Sequence, residues 1–109
     1  MRPDEKLYLV TRADLPAGAQ AVQAAHALRQ FAAEHPDLDK FWFERSNTLA
    51  MLAVPDERAL RRLLVRAEDR DLRSAAFREP DLDNALTAVA IEPSPEAQKL
   101  CRNLPLALR

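Results

Sequence analysis

The sequence predicts an α/β fold in three layers, with helices on both faces of a mixed four-stranded sheet. Three observations predict it. The runs KLYLVTR, NTLAMLAV, RSAAF and TAVAIE are short, apolar and partly β-branched, which is the composition of strands. Helical runs separate the first three of them, so those connections are crossovers between parallel strands. The strands are apolar at successive positions rather than alternating, as a sheet covered on both faces requires.

Strand 1 covers about Lys6 to Arg12. Helix 1 runs from about Ala17 to Glu34 and ends at His35-Pro36, because the residue before a proline is driven out of the helical region. PDLDKFWFERSN reads as a polar loop with an aromatic centre, and NTLAMLAV as strand 2. Pro55-Asp56 opens helix 2, DERALRRLLVRAEDRD, with Leu60, Leu63, Leu64 and Ala67 at core spacing. After strand 3, RSAAF, the loop REPDLDNAL leads to strand 4, TAVAIE. That link is about nine residues, too short for a parallel crossover, so strand 4 runs antiparallel and the predicted order is 2-1-4-3. A short helix near PSPEAQKLCRN and the tail LPLAL close the chain.

Composition bounds the function. A chain of 109 residues with 48% hydrophobic and 30% charged content reads as a single domain over 1–109 that needs neither metal nor disulfide to fold. The lone Cys101 suits a reducing compartment, and no apolar run has the length of a signal or membrane segment, so cytoplasm is the default. A net charge of −1 excludes a bulk electrostatic grip on nucleic acid and leaves room only for a local basic patch. Arg58, Arg62, Arg66 and Arg70 recur every four residues, and with Glu57, Glu68 and Asp69 nearby they read as a paired, solvated face. Phe41-Trp42-Phe43 cannot all point inward, which marks a contact for a second copy of the chain. Cys101 reads as a packed residue, with no histidine beside it in sequence to activate a thiolate.

Gly18, the only glycine, falls where strand 1 hands over to helix 1. It is expected to meet a positive φ or a close approach to the main chain. Free N–H groups and the helix dipole meet at such a turn and favour an anion. No dinucleotide or P-loop pattern is present. At 100° per residue, Ala21, Ala25, Leu28 and Ala32 fall on the expected core face, and Ala19, Gln23, His26 and Gln30 on a stripe opposite. Gln23 can hold a polar ligand and His26 can serve as a general acid or base, although an ordinary solvated helix face has the same composition. His35, in the last turn, suits the helix dipole.

These residues resemble a known family. LVTRADLPAGAQAVQAAHAL is similar to the opening strand and helix of the type II peptidyl-tRNA hydrolases, with Asp14, Leu15, Gly18, Gln23, His26 and Ala27 at matching places. TAVAIEPSP and NLPLAL resemble the family's closing segments. The resemblance implies a mixed sheet flanked by helices, a homodimer, no cofactor or metal, and a substrate in which the 3′ end of tRNA carries a peptidyl or aminoacyl ester. It also implies a lysine after the glycine, where this chain has Ala19 instead. Arg12 and Arg78 flank the same end of the sheet as replacement cations, Glu79 with Asp81 as second choice carries over the family's acid, and Thr87 matches its threonine. On this pattern Glu79 or His26 activates water, Gln23 and Thr87 orient the substrate, and the N–H groups after Gly18 take the oxyanion or a terminal phosphate. The alternative is a weakened or inactive member that binds an RNA end or a protein.

Overall fold

A computed structural model describes residues 1–109. The strands are β1 (Lys6–Arg12), β2 (Thr48–Val54), β3 (Ser74–Glu79) and β4 (Ala85–Ile91). The α-helices are α1 (Ala17–Glu34), α2 (Pro36–Arg45), α3 (Glu57–Asp69) and α4 (Pro95–Cys101). The sheet order is β2-β1-β4-β3, with β2 parallel to β1 and β4 antiparallel to both its neighbours, as the strand and link lengths predict. No helix is long and apolar enough to cross a membrane.

Two segments differ from the expectation. PDLDKFWFER is a helix, α2, rather than a loop. Pro36 sits at its first position, Asp37 and Asp39 occupy the first turn, Arg45 the last, and Lys40 and Glu44 face each other one turn apart. Pro36 favours a helix through its fixed φ, Asp37, Asp39 and Arg45 through the dipole, and the Lys40–Glu44 pair adds a weak attraction one turn apart. Trp42 turns inward and donates its indole N–H to the Thr48 carbonyl, while Phe41 and Phe43 stay exposed. Strand β3 continues two residues beyond RSAAF, so Glu79 ends a strand instead of lying in a loop.

One face of the sheet packs Tyr8, Val10, Leu52, Val54, Val89 and Ile91 against Leu60, Leu63 and Ala67 of α3 and Ala97 and Leu100 of α4. On α3 the side chain of Asp56 caps the first turn by accepting from the Ala59 N–H, and the leucine spacing then carries the core stripe as expected. The expected pairing of its arginines is not formed: Glu57 bonds Arg61 instead, and Arg58, Arg62, Arg66 and Arg70 have no carboxylate in ion-pair reach.

The opposite face packs Leu7, Leu9, Ala75, Ala88 and Ala90 against Ala24, Ala27 and Phe31 of α1 and Trp42 of α2. This corrects the core face of α1. Gln20, Gln23, Ala24, Ala27 and Phe31 point inward, whereas Ala21 and Ala25 are exposed and Leu28 and Ala32 half-buried. An alanine-rich helix has little apolar asymmetry, so its one aromatic, Phe31, decides the rotation.

Beyond β2, the tail runs antiparallel along the outer edge. Ala53 donates its N–H to the Pro105 carbonyl and Ala107 to that of Met51, and Leu52 faces Leu106.

Candidate active site

The C-terminal end of β1, the start of β4 and the end of β3 meet under the first turns of α1. Leu7 and Leu9 face α1, and by strand alternation so does Thr11, whose hydroxyl donates to the Thr87 carbonyl at 3.1 Å. On β4 the alternation breaks. Phe77 pairs with Ala88 and Arg78 with Leu86, so Thr87 is left without a partner residue on β3. This bulge lets Thr87 and Ala88 both turn toward α1 although they are adjacent in sequence, a re-aiming typical of bulges. Thr87 is thus the third residue of β4 rather than its opening one.

A relay of side chains results. The Thr87 hydroxyl donates to Gln23 Oε1 at 2.6 Å, and Gln23 Nε2 donates to Glu79 Oε1 at 3.0 Å. The hydroxyl also lies 3.4 Å from the Phe77 carbonyl. Thr87 is fully buried and Gln23 nearly so, while Glu79 is half-buried at the rim of the cluster. A flipped amide would set Gln23 oxygen against carboxylate, so the network fixes its orientation. The second Glu79 oxygen accepts from the Asp81 N–H at 3.4 Å, at the head of the short 3-10 turn Pro80–Leu82. Each carboxylate oxygen keeps a lone pair for another donor. Asp81 itself is exposed.

The N-terminus of α1 adds donors. Its cap residue, Pro16, supplies no side-chain bond and the first turn has no acid. The first main-chain bond inside the helix runs from the Gln20 N–H to the Pro16 carbonyl, so the N–H groups of Ala17, Gly18 and Ala19 have no acceptor. Gly18 corrects another expectation: its φ is not positive, and a Cβ built on it would meet nothing within 4 Å. The chain's left-handed positions are instead Asn47, Asp71, Asp83, Asn84 and Leu108. Beside Gly18, Gln20 donates to the Leu15 carbonyl at 2.7 Å and holds the turn.

Arg12 forms a two-point pair with Asp14, both contacts at 3.0 Å, and gives a third N–H to the Leu86 carbonyl at 3.2 Å. The hydrogen bond to Asp14 raises the guanidinium pKa above its ordinary value, and the same bond holds Asp14 below the usual carboxylate value. The charge of Arg12 is therefore matched within the chain. Arg78, on the edge strand, is exposed with no acidic partner, and Ala19 is half-buried in the first turn of α1. His26 is exposed and its ring stacks on Phe77. Burial pushes the Cys101 thiol up to about 11, which leaves it unionised at neutral pH, as its reading as a packed residue requires.

The structure therefore joins Gln23, Thr87 and Glu79 directly, with His26 one turn along α1, and pairs Arg12 with Asp14 separately. Thr11 and Phe77 escaped the sequence reading. Thr11 had a signal, being a hydroxyl in phase with Leu7 and Leu9; Phe77 had none, because the bulge that orients its strand cannot be read from RSAAF. A polar cleft of about 330 Å³ lined by Arg2, Glu5, Lys6 and Ser94 lies at the other end of the strands, away from this cluster.

Comparison with known proteins agrees with this fold. A search of the curated proteins finds no match. A solved structure from Agrobacterium tumefaciens strain C58, described only as a protein of unknown function, is similar over 93% of this chain and 96% of its own, with TM-score 0.68 and 16% identity. That likeness concerns the fold. The family model described as Peptidyl-tRNA hydrolase PTH2 matches residues 5–106, nearly the whole chain, and the chain accordingly belongs to the peptidyl-tRNA hydrolase PTH2 family.

Proposed function

We propose that the protein hydrolyses the ester joining a peptidyl or N-blocked aminoacyl group to the 3′ end of tRNA, at the Gln23–Thr87–Glu79 cluster. The observation that carries this reading is the relay itself: a carboxylate oriented by a buried amide, which a buried hydroxyl orients in turn. Glu79 takes a proton from water as the water oxygen bonds to the ester carbonyl carbon. The carbonyl oxygen becomes an oxyanion facing the open N–H groups of Ala17, Gly18 and Ala19. The bond from that carbon to the ribose oxygen then breaks, and the ribose oxygen takes back the proton from Glu79. Asp14 and Arg12, at the adjacent turn, shape the entrance, and Arg78 and Asp81 border it. The same reading makes the protein a cytoplasmic participant in translation and a homodimer; the exposure of Phe41 and Phe43 supports the dimer.

The second reading is a binding module that has lost turnover. Ala19 in the lysine position, with the charge of Arg12 taken up by Asp14, favours it. Incubation with N-acetyl-aminoacyl-tRNA separates the two. Hydrolysis expects release of the acyl group by the wild type and a loss of about hundredfold or more in kcat for Glu79→Gln. No release at high protein concentration, with tRNA still bound, replaces the hydrolase reading by the binding module.

A further inference from the structure

His26 faces outward on α1 with its imidazole laid flat over the Phe77 ring, the centroids 4.4 Å apart and the planes within 9°. Phe77 is half-buried and packed against the α1-side core, so it is a rigid backing rather than a second mobile ring. Neither nitrogen of His26 has a hydrogen-bond partner. A histidine that moves protons in hydrolysis is normally held by a second group on its other nitrogen. His35, in the same chain, shows what such anchoring looks like, with Nε2 at 2.9 Å from the Ser74 carbonyl. The arrangement of His26 fixes the plane of the ring and leaves its outer face to solvent.

The same two elements carry the ester-binding cluster. Gln23 lies one turn before His26 on α1, and Phe77 lies two residues before Glu79 on β3. The Phe77 carbonyl is 3.4 Å from the Thr87 hydroxyl, so the backing ring and the relay share a rigid peptide. One turn beyond His26, Arg29 is exposed and has no carboxylate in ion-pair reach. A flat aromatic face beside an unmatched guanidinium is what a single-stranded nucleotide recognises: the base stacks and the phosphate meets the cation.

We propose that His26 is a stacking platform for the terminal base of the RNA end, with Arg29 on the neighbouring phosphate, and is not a proton-transfer group. This deepens the proposed function and rests on its reading of the substrate as an RNA end. The platform sets where the ribose ester falls relative to Glu79, and so acts on binding rather than on the bond-breaking step.

Two measurements test it on the full chain. The first uses an RNA hairpin whose single-stranded 3′ end terminates in 2-aminopurine, a base whose fluorescence is quenched by stacking. Wild type and His26→Phe quench it on binding; His26→Ala leaves it bright and binds about 5- to 150-fold more weakly. The second uses N-acetylglycyl-tRNA, which has no side chain to stack. His26→Ala raises KM by a similar factor with kcat little changed, and His26→Phe restores KM. Quenching unchanged in His26→Ala, or absent in wild type, overturns the proposal. So does a kcat lost equally in His26→Phe and His26→Ala, the mark of proton transfer. A KM penalty absent with N-acetylglycyl-tRNA but present with N-acetylphenylalanyl-tRNA, assayed beside it, overturns it in favour of a peptide side chain on the ring. Quenching by a wild type that releases no acyl group from any tRNA removes the hydrolase reading and leaves the platform standing. Release with an unaltered KM in His26→Ala removes the platform alone.

Discussion

Against α3 the sheet lays Val10, Leu52, Val54, Leu86, Val89 and Ile91, and the helix answers with Leu60 and Leu63. Against α1 it lays Leu7, Leu9, Ala75, Ala88 and Ala90 beside Thr11 and Thr87, and the helix answers with Phe31, Ala24, Ala27, Gln20 and Gln23. The buried polar residues, Thr11, Gln20, Gln23 and Thr87, all belong to the α1 side. Burying such groups gains little over burying carbon and costs desolvation unless each is bonded. Only Gln20 Oε1 lacks a partner. The α3 face is therefore organised by burial of apolar area, and the α1 face gives up some of that area to hold a carboxylate at the rim in one orientation.

The sharpest way to break this division is to exchange the effects of mutations on the two faces. Leu60→Ala, in the α3 core, is expected to cost about 2–5 kcal/mol of stability while activity per folded molecule stays within twofold or so of wild type. Denaturant unfolding together with an activity assay checks it. Thr87→Val, nearly isosteric, is expected to cost about 1–3 kcal/mol, because Gln23 Oε1 loses its donor in a buried place. Its activity should nonetheless fall more than tenfold, since Gln23 no longer fixes Glu79. Comparable losses of activity in both variants would mean that the two faces do not divide the work.

Gly18→Ala sharpens the comparison at the edge of the α1 face. With no contact within 4 Å and no left-handed backbone, the methyl should leave stability equal or raise it by up to about 1 kcal/mol. Hydrolysis should fall, because the methyl stands where the ester would approach the open N–H groups. Undiminished hydrolysis in a thermally stable Gly18→Ala removes the main chain from the site.

The smallest effect concerns Asp14, whose pair with Arg12 is partly exposed and screened by water. Its folded pKa lies below the ordinary value of 3.8, so the pair stabilises the protein above that value and the contribution is lost as pH falls through the lowered one. The melting temperature of Asp14→Asn should lie slightly below that of wild type from neutral pH to about 5, and the two should converge in stronger acid. A gap that widens with acid has the wrong sign for this pair.

Much of this architecture was legible in the sequence because it rests on local signals. Helix α1 is bounded by His35-Pro36, α3 by its leucine spacing, and the antiparallel β4 by the shortness of its link. What was not legible depends on tertiary context. Phe41-Trp42-Phe43 looks irregular until Trp42 finds the Thr48 carbonyl and the segment coils into α2. The rotation of α1 turns Phe31 inward with Ala24 and Ala27, which moves Gln23 from the expected outer stripe to a buried position. The nearness of Gln23, Glu79 and Thr87 rests on a bulge opposite Phe77 and Arg78, which no periodicity announces. The resemblance named these three residues without giving their contacts.

The pairing of residues 105–107 with β2 ties the chain's last stretch to the parallel strand pair at the sheet's border. Loosening of residues 105–107 therefore uncovers the Ala53 N–H and the Met51 carbonyl of β2. The pairing also narrows the ways in which neighbouring molecules can zip together edge to edge, since the Ala53 N–H and the Met51 carbonyl are already paired from within.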